Sequence, residues 1–147
     1  MIRSRVITAL GLLCLVGPCA ALAHDEVGNR PPVALRDKIR IVSISPAGPV
    51  TSGVETEFSI EVEVDLGSAH EGLVGVGFNL DNATDFRMVD RQEVHKGRHQ
   101  VSFRVRVVPV DWGEHGVFAV VVNVGPKPAE TRWTPTAFVR LAIPVKG

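Results

Sequence analysis

The chain has 147 residues, 45% of them hydrophobic, and its 16 lysines and arginines equal its 16 aspartates and glutamates in number. A strongly basic balance is the usual mark of a nucleic-acid-binding protein, so this neutrality argues against a nucleic-acid partner. Tyrosine is absent and tryptophan occurs only twice, so side chains on which bases or sugars stack are scarce.

Residues 1–23 have the pattern of a secretory signal peptide. Arg3 and Arg5 form a basic start, residues 6–16 are an apolar run, and residues 21–23 match the small-residue pattern that precedes cleavage. The alternative is a membrane anchor, but an anchor needs about 20 apolar residues. We predict cleavage before His24, a periplasmic or secreted location, and no membrane span in the mature chain.

Both cysteines of the chain, Cys14 and Cys19, lie within this segment. The residues before each of them match the lipid-attachment pattern of lipoproteins poorly, so cleavage without lipidation is favoured. The mature chain then contains no cysteine, which excludes disulfides and thiolate metal sites. An apolar core must therefore stabilise the domain.

The mature chain is predicted to consist of a leader and one β-domain. Residues 24–38 contain glycine and two prolines without periodicity, which predicts a flexible leader. In residues 39–147, short apolar or alternating stretches are separated by turn residues. The predicted strands are A (39–45), B (54–66), C (73–80), D (86–94), E (100–110), F (117–124) and G (136–145).

Strand B has the clearest pattern, because apolar and polar residues alternate over its length. A period of two predicts a strand with one buried and one solvent-exposed face. The exposed face is acidic, whereas strand E exposes Arg104 and Arg106, so opposite charges favour antiparallel pairing of B with E. The alternative is a calcium site at Glu61, Glu63 and Asp65. Alternate residues of a strand lie in a line, however, and do not surround an ion.

Seven short strands with regularly spaced turns are typical of an immunoglobulin-like antiparallel β-sandwich, an all-β fold. In residues 41–46, 53–64, 75–78 and 116–120 the chain resembles the bacterial immunoglobulin-like and fibronectin type III-like extracytoplasmic domains. The resemblance implies the fold and the compartment. It implies no chemistry, because such domains adhere, bind ligands or pack in larger assemblies.

The outer face of predicted strands C, F and G is glycine or apolar where a solvated sheet carries polar residues. Its positions are Gly75, Gly77, Val117, Ala119, Val121 and Phe138. An apolar patch of this kind usually marks a contact surface. We therefore predict a binding module that uses this face for a protein partner or a homodimer. The alternative is that strand A or the leader covers the face.

No catalytic motif accompanies this predicted surface. The chain has no nucleophile elbow, zinc-protease helix motif, P-loop or dinucleotide fingerprint. We therefore predict that the protein is not an enzyme and needs no cofactor.

Copper carriage is the competing hypothesis. Cleavage would leave His24 with a free amino group and a free imidazole, and imidazole suits Cu(II) well. The arrangement resembles periplasmic copper carriers whose mature chain begins with histidine on a small β-sandwich. His70, His95 and His99 fall in turns predicted at the same end as His24. Those carriers complete the site with an Asp-x-His pair, which this chain lacks, and they have a shorter leader.

Overall fold

The computed structural model describes residues 36–147. The predicted signal peptide, both cysteines, His24 and most of the leader lie outside these residues. The described chain is all-β, with an antiparallel main sheet and one 3₁₀ turn at Gly113–His115. Its strands are β1 Lys38–Ser45, β2 Val50–Thr51, β3 Thr56–Phe78, β4 Arg87–Val107, β5 Ala119–Pro126, β6 Ala137–Ala142 and β7 Val145–Lys146. No helix in this part of the chain is long and apolar enough to cross a membrane.

Two long strands, β3 and β4, form the frame of the sheet. β3 has 23 residues, β4 has 21, and they pair antiparallel from Thr56 opposite Val107 to Phe78 opposite Arg87. Predicted strands B and C are therefore a single strand, and so are D and E. The turns predicted at residues 67–72 and 95–99 do not reverse the chain, and this part of the prediction is wrong.

A bulge takes the place of the predicted turns. Pairing stops at Leu66 opposite Gly97 and resumes at Glu71 opposite His95, so residues 67–70 bulge out of β3. Gly97 has a φ of 108°, a left-handed conformation that glycine adopts without steric cost. The bulge bends the strand pair and keeps it continuous, which is what bulges do in antiparallel sheets.

Asp37, immediately before β1, binds this bulge. Its Oδ1 accepts hydrogen bonds from the N–H groups of Gly67 and Ser68, both at 2.8 Å. Its Oδ2 accepts from the hydroxyls of Ser68 and Thr136. Asp37 is only 8% exposed, and burial by itself raises the pKa of a carboxyl, but these hydrogen bonds together lower the pKa of Asp37 below its usual value. One carboxylate thus joins the start of β1, the bulge and the residue before β6.

The bend divides one edge of β3 between two neighbouring strands. β1 pairs with residues 59–65 and β5 pairs with residues 72–78, while β4 occupies the opposite edge throughout. β6 extends the sheet beyond β5, and β2 pairs in parallel with β7. The sheet curls around one core, whose largest fully buried side chains include Phe58, Phe78, Phe103, Ile60 and Leu66.

The predicted pairing of strands B and E is confirmed. Glu57 lies opposite Arg106 with an ion pair of 3.0 Å, and Asp65 lies opposite Arg98 with one of 3.6 Å. β5 lies between β3 and β6, and its apolar sequence on both faces fits this central position. The acidic face of β3 is therefore a solvated surface with cross-strand partners.

Asn79 joins the end of β3 to the start of β5. It is completely buried, its Nδ2 donates to the carbonyl oxygen of Val117 at 2.8 Å, and its Oδ1 accepts from the N–H of Ala119 at 2.8 Å. The indole N–H of Trp112 donates to the carbonyl oxygen of Asn79 at 3.2 Å. These bonds satisfy backbone groups in this buried or partly buried region.

We expect Asp37→Asn to lower the free energy of unfolding by about 2–3 kcal/mol at neutral pH, because a neutral amide is a weaker acceptor than the buried carboxylate for the four hydrogen bonds that this side chain accepts. The folded-state pKa of Asp37 is lowered, so its stabilisation is complete above the unfolded-state pKa of about 4 and is lost as pH falls through the folded-state pKa. Urea denaturation at a series of pH values measures both effects.

The matched control is Asp65→Asn. The side chain of Asp65 is 37% exposed, so the loss of its ion pair should cost less than about 1 kcal/mol. Equal losses of unfolding free energy in the two variants would contradict the role given to Asp37. A loss of stability at low pH that is the same in Asp37→Asn as in the unchanged chain would also contradict it.

Candidate binding groove

The outer face of β3 lacks side chains at Gly75 and Gly77, and both residues are buried. A Cβ atom at Gly75 would lie 2.9 Å from Cζ3 of Trp133 and 3.0 Å from Sδ of Met88. A Cβ atom at Gly77 would collide with Met88 and lie 2.9 Å from the carbonyl oxygen of Arg87. Met88 and Trp133 therefore pack directly on the backbone of β3, and only glycine leaves room for them.

The connection between β5 and β6 carries Trp133 back over this face. At its start, the N–H of Lys127 donates to the carbonyl oxygen of Glu71 at 3.0 Å, and the ammonium group lies 2.7 Å from Glu93 of β4. The hydrogen bond and the positive charge of Lys127 lower the pKa of Glu93. At its end, the N–H of Thr136 donates to β5 at 2.9 Å. Both ends of the connection are thus bound to the sheet that Trp133 covers.

Beside Trp133 the outer face forms an open groove with a volume of about 470 Å³. Its lining residues are Phe86, Met88, Arg91, Val121, Asn123, Trp133, Pro135, Phe138 and Arg140. Phe138 on β6 is 72% exposed, more than any other large hydrophobic side chain in the described chain. An exposed aromatic ring beside a mainly apolar groove is typical of a contact surface.

Two arginines of the groove pack on aromatic rings. The guanidinium carbon of Arg91 lies 5.6 Å from the ring centroid of Trp133, and that of Arg140 lies 5.3 Å from the ring centroid of Phe86. These distances are those of cation–π contacts. Among residues 36–147 neither arginine forms an ion pair, and the described lining contains no carboxylate. The groove is therefore positively charged.

Two nitrogen donors of the groove are poorly satisfied. The indole nitrogen of Trp133 is buried and has no hydrogen-bond partner in the described part of the chain. Nδ2 of Asn123 donates to Sδ of Met88 at 3.9 Å, and a thioether sulfur is a weak acceptor. Buried polar groups are normally bonded, so this side of the sheet differs from the region around Asn79.

The structure separates the residues of the predicted C-F-G face into buried and exposed groups. The buried residues are Gly75, Gly77, Ala119 and Val121. Phe138 and Val117 are exposed, the latter by 52%. Val121 and Phe138 line the groove, whereas Val117 lies before β5. The face is thus not a flat bare sheet, because Met88 and Trp133 fill its centre.

Sequence reasoning missed Met88, Arg91 and Arg140 as members of this surface and placed Trp133 only in a loop. Alternate glycines at positions 75 and 77 were the available signal. Glycines that leave one face of a buried strand bare indicate a close approach by another group. The pattern does not say which side chain makes that approach.

The histidines predicted to act with His24 lie near the bend of β3 and β4. His70 is in the bulge, and His95 and His99 flank Gly97. Nε2 of His99 is 2.7 Å from the carbonyl oxygen of His95. Within residues 36–147, no three His, Cys, Asp or Glu side chains come together as a possible metal site. Because His24 lies outside these residues, the copper hypothesis stays a prediction.

We expect Gly77→Ala to lower the free energy of unfolding by about 1–3 kcal/mol, because the added methyl group meets the backbone of Arg87, which cannot move away. Gly75→Ala should cost less, since its methyl group meets two side chains that can shift. The control is Gly48→Ala, because no atom lies within 4 Å of its Cβ position. Urea denaturation measures the free energy of unfolding of each variant. Equally small losses in all three variants would contradict the close packing of Met88 and Trp133 on β3.

Comparison of the chain with protein-family models, with curated proteins and with solved structures gave no match. The functional proposal is therefore based on the geometry and charge of the groove.

Proposed function

We propose that the chain is a non-catalytic, extracytoplasmic binding module that holds a protein partner in the groove beside Trp133. The observation that carries this proposal is the open groove of about 470 Å³, with Phe138 72% exposed at its rim. Aromatic rings and arginines are the residues most enriched in protein interfaces, and both border this groove.

The strand order supports an immunoglobulin-like or fibronectin type III-like sandwich as the scaffold. The first half of β3 lies between β1 and the second half of β4, and its second half lies between the first half of β4 and β5. In the letters of the predicted strands, neighbouring strands in one layer follow the order A-B-E, and those in the other layer follow the order D-C-F-G. This is close to the two layers of immunoglobulin domains, with D moved beside C. In this scaffold the groove lies on the outside of the four-stranded layer.

The proposed extracytoplasmic location depends on the sequence of residues 1–23, which has the order of a basic start, an apolar run and a small-residue cleavage pattern. The absence of cysteine after Cys19 leaves nothing in the mature chain that an oxidising compartment would cross-link. Without disulfides, a folded binding domain of this kind depends mainly on its apolar core for stability.

A selection from a random displayed-peptide library tests the proposed function. We expect the mature chain to enrich peptides that bind it, and Phe138→Glu to weaken their binding by about tenfold or more, because the change puts a charge where an apolar contact forms. Calorimetry with the enriched peptides measures the effect. Since Phe138 is exposed, the thermal unfolding of this variant should match that of the unchanged chain.

The control for this experiment is Val42→Glu. Val42 is an apolar residue of β1 that is 49% exposed and lines a cleft between β1 and β6 that shares Arg140 with the groove but none of its aromatic rings. This variant should bind the enriched peptides as the unchanged chain does. The proposal fails if no peptide is enriched, or if Val42→Glu and Phe138→Glu have the same effect.

A further inference from the structure

We infer that the groove binds an acidic segment of its partner, in which carboxylates flank an apolar side chain. This inference rests on the proposed function of the same groove and names the chemistry of its occupant. It depends on three groups that line the same groove. The guanidinium groups of Arg91 and Arg140 each lie over an aromatic ring, and the ring of Phe138 is exposed.

The two arginines are positioned to bind carboxylates. The guanidinium carbon of Arg91 lies over the ring of Trp133, and that of Arg140 lies over the ring of Phe86. A contact with a ring uses none of the N–H groups of a guanidinium, and these groups match the two oxygens of a carboxylate. Within residues 36–147 no carboxylate forms an ion pair with the guanidinium of Arg91 or of Arg140.

Arginines on the other half of the sheet surface, by contrast, form ion pairs with carboxylates of the same chain. Arg98 lies 3.6 Å from Asp65, Arg106 lies 3.0 Å from Glu57, and Arg40 lies 2.7 Å from Glu63. On that half of the molecule the chain supplies its own negative charges. On the groove the positive charges are left for a partner, which is charge complementarity of the kind that selects partners at interfaces.

The apolar part of the groove favours a segment that carries an apolar side chain as well as carboxylates. The side chains of Pro135 and Phe138 offer contact area and no hydrogen bonds. A purely acidic segment would leave this area in contact with water, whereas a leucine or phenylalanine flanked by acids would bury it.

A second copy of this chain fits the groove poorly. In a two-fold dimer each residue of the contact patch faces the same patch of its mate. Arg91 and Arg140 would then meet a surface with the same positive charges and no described carboxylate, and like charges at an interface are unfavourable. The charge therefore favours a different, acidic partner.

An acidic polysaccharide also fits less well than a peptide. Sugar hydroxyls need many hydrogen-bonding groups, and in the described lining Asn123 is the one neutral polar side chain apart from the indole. Its Nδ2 already donates to Met88, and Trp133 is half-buried beside Arg91, so Phe138 is the one exposed aromatic ring of the described lining on which a sugar could stack.

Calorimetry of the mature chain with three blocked synthetic peptides tests the inference. Each peptide has a central leucine between two runs of one residue type, which is glutamate, glutamine or lysine. We expect the glutamate peptide to bind about tenfold or more tightly than the glutamine peptide, the lysine peptide not to bind, and added salt to weaken the glutamate peptide.

The variants Arg91→Gln and Arg140→Gln identify the groups responsible. Each should weaken the glutamate peptide by about fivefold, and the double variant by more than either one, because each removes one partly screened charge pair. Arg140→Lys keeps the charge and should restore part of the loss. Arg104→Gln is the control, since Arg104 is exposed on the other half of the sheet, 3.9 Å from Glu57.

The outcomes separate this inference from the proposed function. Tighter binding of the glutamate peptide, lost in the Arg91 and Arg140 variants and kept in Arg104→Gln, supports the inference. Equal binding of glutamine and glutamate peptides that Phe138→Glu abolishes would overturn the acidic occupant and leave the binding groove intact. The inference is also overturned if no glutamate peptide binds, if the arginine variants bind it unchanged, or if an acidic polysaccharide such as polygalacturonate binds more tightly.

Discussion

The continuous pairing of β3 with β4 determines where the neighbouring strands β1 and β5 lie. Because the pair bends at a bulge and does not reverse, one edge of β3 is shared by β1 and β5, and the sheet curls around a single core. Asp37 holds the bend, since its carboxylate bonds to the bulge and to Thr136 before β6. The carboxylate of Asp37 thus links the start of β1 to the bulge of β3 and to the residue before β6.

The groove follows from what the second half of β3 lacks. Gly75 and Gly77 leave the outer face of the sheet without side chains, and Met88 and Trp133 occupy that space. The ring of Trp133, which covers the sheet, also contacts Arg91, and the ring of Phe86 contacts Arg140. On the first half of β3, by contrast, glutamates and arginines of neighbouring strands neutralise one another. The two outer faces therefore differ in charge balance although they belong to one sheet.

The alternation of residues in β3 and β4 was sufficient to predict the inner faces and the pairing of acidic with basic positions, because a period of two is a local property. The bend at residues 67–70 was predicted as a turn, since glycine and serine are common to turns and bulges. The long-range pairing that resumes at Glu71 and the bond to the distant Asp37 distinguish the bulge here. The packing of Trp133 on β3 could not be predicted from a local pattern either. The alternate glycines indicated a space at Gly75, but Trp133, almost sixty positions later in the chain, is one of the residues that fill it.

The most direct measurement is a two-dimensional nitrogen–proton magnetic resonance titration of the mature chain with the glutamate–leucine peptide. The chain has two tryptophans, so it gives two indole signals. Trp133 lies in the groove, and Trp112 donates to Asn79 elsewhere. We predict that the indole signal of Trp133 and the amide signals of Asn123 and Phe138 shift while the indole signal of Trp112 stays in place. Shifts confined to Trp112 or to β1, or no shift, would contradict the proposed groove.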